Sequence, residues 1–317
     1  MSSMLDAIFS TSFAYSVLRV TTPLLFAALG AVVSDLAGVI NIGLEGMMLF
    51  GAFAGVAVSA FTGSALWGLV AAVLAGLIMS LILGYFSLKL KTDIILAGIA
   101  LNLFASGGTV FLLYMVAHDK GVSTSLASKV LPQIRIPLID SIPVLGPIFS
   151  NHNVLVYVAM IAAAAVWYYL YRTPSGLRLR AVGENPGAAE SVGISVHRIQ
   201  FTALAISGVL AGFGGAHLSM GYVSWFARDM TAGRGFIGLA AEALGGRTPG
   251  GTVIASLFFG VADALSNYLQ SLSIPSEFIQ AVPYALTVVA LAVYARQQIR
   301  KRARLARLSQ NPEKKAA

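Results

Sequence analysis

Long apolar runs follow one another along this chain with little between them: Phe13–Val33, Val39–Ala60, Leu66–Leu88, Ile94–Val116, Val154–Tyr171, Phe201–Tyr222, Val253–Leu272 and Phe278–Ala295. A run of ~20 apolar residues is what crosses the ~30 Å hydrocarbon core of a bilayer as a helix. Inside hydrocarbon each backbone N–H and C=O needs a partner within the protein, so such runs can fold only as helices or as strands of a closed barrel. Their length selects the helix. A ninth stretch, Gly235–Gly246, has 12 residues and is read as a half-helix or re-entrant segment. The expected fold is therefore an all-α polytopic membrane protein of eight to nine crossings, some of them short or broken. The chain has 11% charged residues and a mean hydropathy of +0.80, where soluble domains carry about 25% charged residues.

The basic residues set the expected orientation. With the C-terminal tail inside and nine crossings, fifteen of the 21 Lys and Arg fall on the cytoplasmic side. The other six, Arg19, Lys120, Lys129, Arg135, Arg228 and Arg234, fall outside. That bias follows the positive-inside rule. The division expected is a membrane domain over 1–295 and a basic cytoplasmic tail over 296–317, suited to a lipid surface and not to nucleic acid. The N-terminus carries Asp6 and no basic residue before Arg19, so the first apolar run reads as a retained span outside-first. The outer loop over 117–153 contains Pro132, Pro137, Pro143 and Pro147, which argue against a long helix there. It reads as an irregular cap over the outer mouth, as part of a landing surface for an extracytoplasmic protein, or as both.

Between two apolar spans lies a polar island, Arg172–Gln200, with Arg172, Arg178, Arg180 and Arg198. Charges of this kind are costly in hydrocarbon, so the island is a cytoplasmic loop. Inside it, Asn185-Pro186 can start a helix, with Asn as cap and Pro in the first turn. Gly193 can end it. Such a helix is either a capped surface element or a docking knob, with Ala188, Ala189 and Gly193 small enough for close approach.

GENPGAAESVGI (Gly183–Ile194) resembles the coupling-helix loop of ABC importer permeases of the sugar, nucleoside and branched-chain amino acid group. GVINIGLEGMMLFGAFAG (Gly38–Gly55) and EALGGRTPGGTVIASLFFG (Glu242–Gly260) extend the likeness over roughly Phe13–Tyr294, and together they look most like the nucleoside-type permeases. The resemblance implies a bacterial inner-membrane subunit that binds no cofactor itself. It implies a cytoplasmic ATPase partner that uses ATP, an extracytoplasmic binding protein and a small-molecule substrate. Gly183, Glu184, Asn185, Pro186, Ala188, Ala189 and Gly193 are then the ATPase-coupling residues. A second permease subunit is implied too; a different, related chain is expected, because this one lacks an extra N-terminal span carried by longer relatives. A ribose-type sugar or a branched-chain amino acid is the alternative substrate.

Polar residues inside apolar spans are functional candidates. Asn41, Glu45, Asn102, Glu242, Asp263 and Asn267 are the candidates for a translocation path, with Asp35 a further intramembrane acid. Asn41 and Glu45 share a face if their segment is helical. Either they pair with a neighbouring helix or with free backbone N–H groups at a broken helix, or they bond to a passing substrate. Asp263, Asn267 and Gln270 form a polar stripe at helical spacing, whereas Asn102 reads as an interhelical hydrogen bonder. Phe104, Phe111 and Tyr114 are packing aromatics or stacking surfaces for a base. The glycine-rich segments around Glu45 and Glu242 predict two inverted halves.

Other classes find no motif. The sequence has no G-x-x-x-x-G-K-[ST] for ATP, no H-E-x-x-H metal spacing, no G-x-S-x-G elbow and no cysteine. An ion-coupled secondary transporter is the competing class; it would use Glu45 or Asp263 as an ion site and leave the polar cytoplasmic helix without a role. Single-sided reporters attached at Ser2 and Ala317 should report opposite sides of the membrane; same-side signals would overturn the nine-crossing count.

Overall fold

The computed structural model describes residues 10–140, 142–143 and 145–269. Residues to Ala264 form one compact unit, and a second begins at Leu265, of which only the stretch to Leu269 is described. The expected ninth crossing, Phe278–Ala295, the tail over 296–317 and Gln270 lie outside the described residues.

Seven helices there are long and apolar enough to cross a membrane. They are α1 (Thr11–Asp35), α2 (Leu44–Thr62), α3 (Ala65–Gly84), α4 (Ile94–Ala117), α7 (Val154–Arg172), α10 (Val196–His217) and α12 (Pro249–Leu269). α3 and α10 run on as π-helical turns, Tyr85–Lys89 and Leu218–Tyr222. The loop over 117–153 is irregular, with short helices α5 (Pro137–Asp140) and α6 (Leu145–Phe149), and a two-residue hairpin pairs Gln133–Ile134 (β1) with His152–Asn153 (β2). The polar island holds two helices, α8 (Pro174–Glu184) and α9 (Pro186–Ser191), and its last residues already belong to α10. Helix α11 (Arg234–Leu244) is the short segment.

Packing divides the spans into a core and a rim. Helix α1 is the most enclosed, with 83% of its span buried, against 22% for α4. Helix α3, with the highest mean hydropathy at 2.5, is only 33% buried. An outward-facing helix meets lipid and is apolar on most sides, whereas a central one can carry small and polar residues. Glycines make the central crossings close. A Cβ on Gly76 would overlap the Gly208 carbonyl, and one on Gly215 the Met48 carbonyl. Helices α2, α3 and α10 thus meet nearly backbone to backbone, where dispersion is strongest.

Two helices begin inside the bundle. The expected second crossing, Val39–Ala60, is not helical at its start: Leu36–Gly43 is turn and extended chain, and α2 starts at Leu44. From the other side, Val223–Gly233 runs inward without regular structure before α11 starts. Gly238 of α11 lies against Ala27 and Ala28, near the middle of α1, and Arg247 just beyond α11 reaches Asp35 at the end of α1. The short segment therefore completes a crossing: irregular chain through one half, and a helix of ~16 Å through the other. Helices α2 and α11 start near the same level and run in opposite directions, as inverted halves require.

Gly76→Leu should cost about 1–3 kcal/mol or more through overpacking. Gly107 has nothing near its missing Cβ, so Gly107→Leu should be neutral. Thermal unfolding of the purified variants in detergent measures both.

Candidate functional site

The site is built where α2 and α11 begin. A helix start leaves backbone N–H groups without intrahelical partners. At α11 they are satisfied by one side chain: Glu45 Oε1 accepts the Gly233 N–H at 2.8 Å and Oε2 accepts the Gly235 N–H at 2.6 Å. A carboxylate at a helix N-terminus also meets the positive end of the macrodipole. The approach is close enough that a Cβ on Gly235 would overlap the Glu45 backbone. Between those glycines, Arg234 places a cation at that same positive end. Its Nη2 reaches Asp263 Oδ2 on α12 at 3.1 Å, with both side chains 19% exposed. The start of α11 is thus gripped by carboxylates from two different helices.

Amides hold the start of α2. Asn102 on α4 donates Nδ2 to the Ile42 carbonyl at 2.9 Å and accepts the Gly46 N–H at 2.8 Å. Asn41, fully buried, donates to Ser207 Oγ at 2.9 Å and lies 3.4 Å from Met47 Sδ. Asn41 precedes the helix, so the four-residue spacing to Glu45 does not place them on one helical face. Asn41, Glu45 and Asn102 nevertheless converge on one junction, and Asp263 joins it through Arg234.

Glu242 is separate. It is buried at the far end of α11, its carboxyl against that of Asp35, whose other neighbour is Arg247 at 2.8 Å. Asn267 is exposed near the end of α12, so the polar stripe with Asp263 is not a single buried face. Phe104 stacks on Phe50 at 5.6 Å but is largely exposed, as are Phe111 and Tyr114; these rings lie on the apolar outside of the bundle. Sequence reasoning missed Arg234, counted there as an outer-loop charge, because its partner Asp263 is distant in sequence. Ser207, the partner of Asn41, carried no signal at all.

At the loop end, Asn185 Oδ1 accepts the Ala188 N–H at 3.0 Å, Pro186 occupies the first turn, and Gly193 ends the helix at φ +81°. Glu184, Asn185, Pro186, Ala188 and Gly193 are exposed. Ala189 is not: it is 4% exposed, turned toward its own chain, so it cannot form part of a slim outer face. Gly183, at the end of α8, presses on the α1–α2 turn: a Cβ there would overlap the Leu36 carbonyl, and Gly38, at φ +77°, faces it.

Membrane-length helices around two opposed helix starts, with a capped helix on a polar loop, make this a polytopic membrane protein built as a permease. The chain belongs to the family described as "Branched-chain amino acid transport system / permease component", whose model matches residues 13–291. It is 35% identical to the nucleoside ABC transporter permease protein NupC of Lactococcus lactis, over 89% of this chain and 92% of that one. It is 37% identical to the guanosine ABC transporter permease protein NupQ of Bacillus subtilis, over 85% and 87%. A second protein of that bacterium, the guanosine ABC transporter permease protein NupP, is 29% identical over 88% and 80%. In fold the chain resembles a chain of PsaBC from Streptococcus pneumoniae in complex with Fab, with a TM-score of 0.53 and 14% identity over 91% of this chain and 94% of that one.

Glu45→Leu removes the acceptor for two N–H groups, each worth about 1–3 kcal/mol when left buried and unpaired. Loss of the protein from the membrane is expected, with Glu45→Gln restoring part of it through one carbonyl acceptor. Immunoblots of membranes beside uptake assays separate this from a path-lining role, in which Glu45→Leu would keep its abundance and lose transport.

Proposed function

We propose that the chain is the membrane-spanning subunit of a binding-protein-dependent ABC importer for nucleosides, located in the bacterial inner membrane. The observation that carries the substrate is the identity of 35% and 37%, over most of the chain, to permeases named for nucleosides and guanosine. This subunit forms the path and carries no ATPase site. ATP is bound and hydrolysed by a cytoplasmic partner, and a binding protein delivers substrate at the outer mouth. The second permease is a different, related chain; two distinct guanosine permeases in one relative's organism favour this.

Coupling enters at α9. Its polar cap, exposed Ala188 and sharp stop at Gly193 suit a rigid knob in a groove of the ATPase. A push on it acts on α8 and α10, which flank it directly. It also reaches the α1–α2 turn, through Gly183 against Leu36 and through Gln200 Nε2 to the Ala37 carbonyl at 3.4 Å. That turn leads to Asn41 and the start of α2, so force from the loop arrives at the junction of the half-helices. Asn41, Asn102 and Glu45 are placed there to line or shape the path; Glu242 and Asp263 hold α11 at its two ends. An ion-coupled carrier has less support, since Glu45 and Asp263 already have partners.

Calorimetry on the cognate binding protein tests the substrate: nucleosides should bind, and exclusive binding of ribose or a branched-chain amino acid would overturn the reading. Ala188→Trp should leave insertion intact, while ATPase pull-down and uptake fall at least tenfold. Ala127→Trp, in the exposed outer cap, should change neither. Full docking and uptake with Ala188→Trp would remove α9 from the coupling role.

A further inference from the structure

At the end of the bundle away from α9 lies an open cavity of about 360 Å³, lined by Tyr15 and Arg19 of α1, Gln133 of β1, Asn153 of β2, and Tyr222 and Trp225 beyond α10. The volume is in the range of small-molecule sites. Its lining is more polar than that of two other clefts among the described residues, which are almost entirely aliphatic and aromatic. The Arg19 guanidinium lies 4.1 Å from the centre of the Tyr222 ring. None of the ion pairs among the described residues involves Arg19, and none of the residues lining the cavity is acidic.

The groups around Arg19 fix its place, and among the described residues its guanidinium makes no hydrogen bond. His217 bonds through Nε2 to the Arg19 carbonyl at 3.1 Å, which ties α10 to α1 at this level. Tyr222 is positioned by the π-helical turn that ends α10. Tyr15 is stacked on His152 at 4.0 Å. Asn153 uses its amide within the cap, donating to the Leu131 carbonyl and accepting the Leu155 N–H. Gln133, exposed at the rim, has no side-chain hydrogen bond among the described residues. The cavity therefore offers a planar guanidinium whose N–H groups are unpaired among the described residues, an amide, and aromatic faces.

We propose that this cavity is a subsite for the base of a 6-oxopurine nucleoside entering the permease, with Arg19 as its specificity-determining residue. The inference rests on the nucleoside reading and deepens it. Guanine and hypoxanthine present two adjacent acceptors, O6 and N7, which a guanidinium engages in bidentate fashion. Adenine places an amino donor where O6 would be and opposes the same fork. Uracil and thymine lack an adjacent acceptor pair; cytosine has one in N3 and O2, but beside the N4 amino donor and not in the O6/N7 geometry. Stacking on an aromatic face adds affinity for any base and little discrimination. Gln133 supplies a second polar contact at the mouth.

The test uses the assembled permease–ATPase complex in nanodiscs without its binding protein. Trp67 and Trp167 are exposed and are replaced by Phe, leaving Trp225 as this chain's reporter; a Trp225→Phe version gives the background of the partner chains. Guanosine and inosine should change Trp225 emission saturably, at concentrations at least tenfold below those needed for adenosine or uridine. Arg19→Gln should abolish that preference, and Gln133→Ala, at an exposed position, should weaken guanosine binding severalfold. Equal responses to all four nucleosides, or none at millimolar concentration in a complex that still imports nucleosides, would overturn the subsite. Capture of the binding protein that fails in Arg19→Gln, with the titration unchanged, would overturn it in favour of an acidic protein contact. A complex that imports no nucleoside, with a binding protein that binds none, would instead sink the underlying transport reading, and the subsite with it.

Discussion

A helix that starts inside a membrane frees backbone N–H groups where water cannot take them, and the structure depends on how those groups are satisfied. Glu45 accepts two of them at the start of α11, and Asn102 reaches both Ile42 and Gly46 at the start of α2. Neither helix could begin at that level without these side chains. Because Glu45 itself sits in the first turn of α2, the two half-helices are not independent. The residue that opens one helix caps the other, and displacing either changes both.

The electrostatics of α11 follow from the same contact. Arg234 is a cation at the positive end of a helix, an unfavourable place on its own. Glu45 brings a carboxylate to the Gly233 and Gly235 N–H groups on either side of it, and the Arg234–Asp263 pair binds α11 to α12. Removing one partner of a half-buried pair leaves a charge without compensation, typically a loss of about 3–5 kcal/mol. At its other end, α11 is followed by Arg247, whose partner is Asp35 at the C-terminal end of α1, where a cation also offsets the negative end of that helix. A helix of 11 residues cannot anchor itself across a bilayer, and this one is tied down at both ends.

The long helices were legible because twenty apolar residues in a row leave few alternatives. Their starts were less so. Val39–Gly43 is as apolar as a helix yet is not one; hydropathy reports burial, and only Gly38 at φ +77° and the side-chain ties of Asn41 reveal extended chain. Helix α8 was hidden for the opposite reason: Arg178 and Arg180 made the segment read as loop, although Leu179 and Val182 are buried on one face. Arg234 was placed outside because a charge in a short segment looks like loop when its ion-pair partner lies 29 residues away. The capped helix Asn185–Gly193 was readable residue by residue, since caps are local; that Ala189 turns inward was not, since that depends on what packs beneath it.

The geometry also relates the loop to the site. Two close contacts join the polar island to the bundle's interior: Gly183 on Leu36 and Gly38, and Gln200 on Ala37. Both fall on the short irregular stretch between α1 and α2. An extended segment is the part of this bundle that can absorb changes in φ and ψ without breaking a helix. Helix α1 packs against both α10 and α11, and α8 presses on the start of the stretch Leu36–Gly43 that follows α1. Asn41 lies in that stretch and holds Ser207 of α10, and Ile42 holds Asn102 of α4. The stretch against which the loop packs therefore also carries hydrogen bonds to two other helices. The α2 start, and through Glu45 the α11 start, is thus tied by hydrogen bonds to the same stretch on which α8 and Gln200 press.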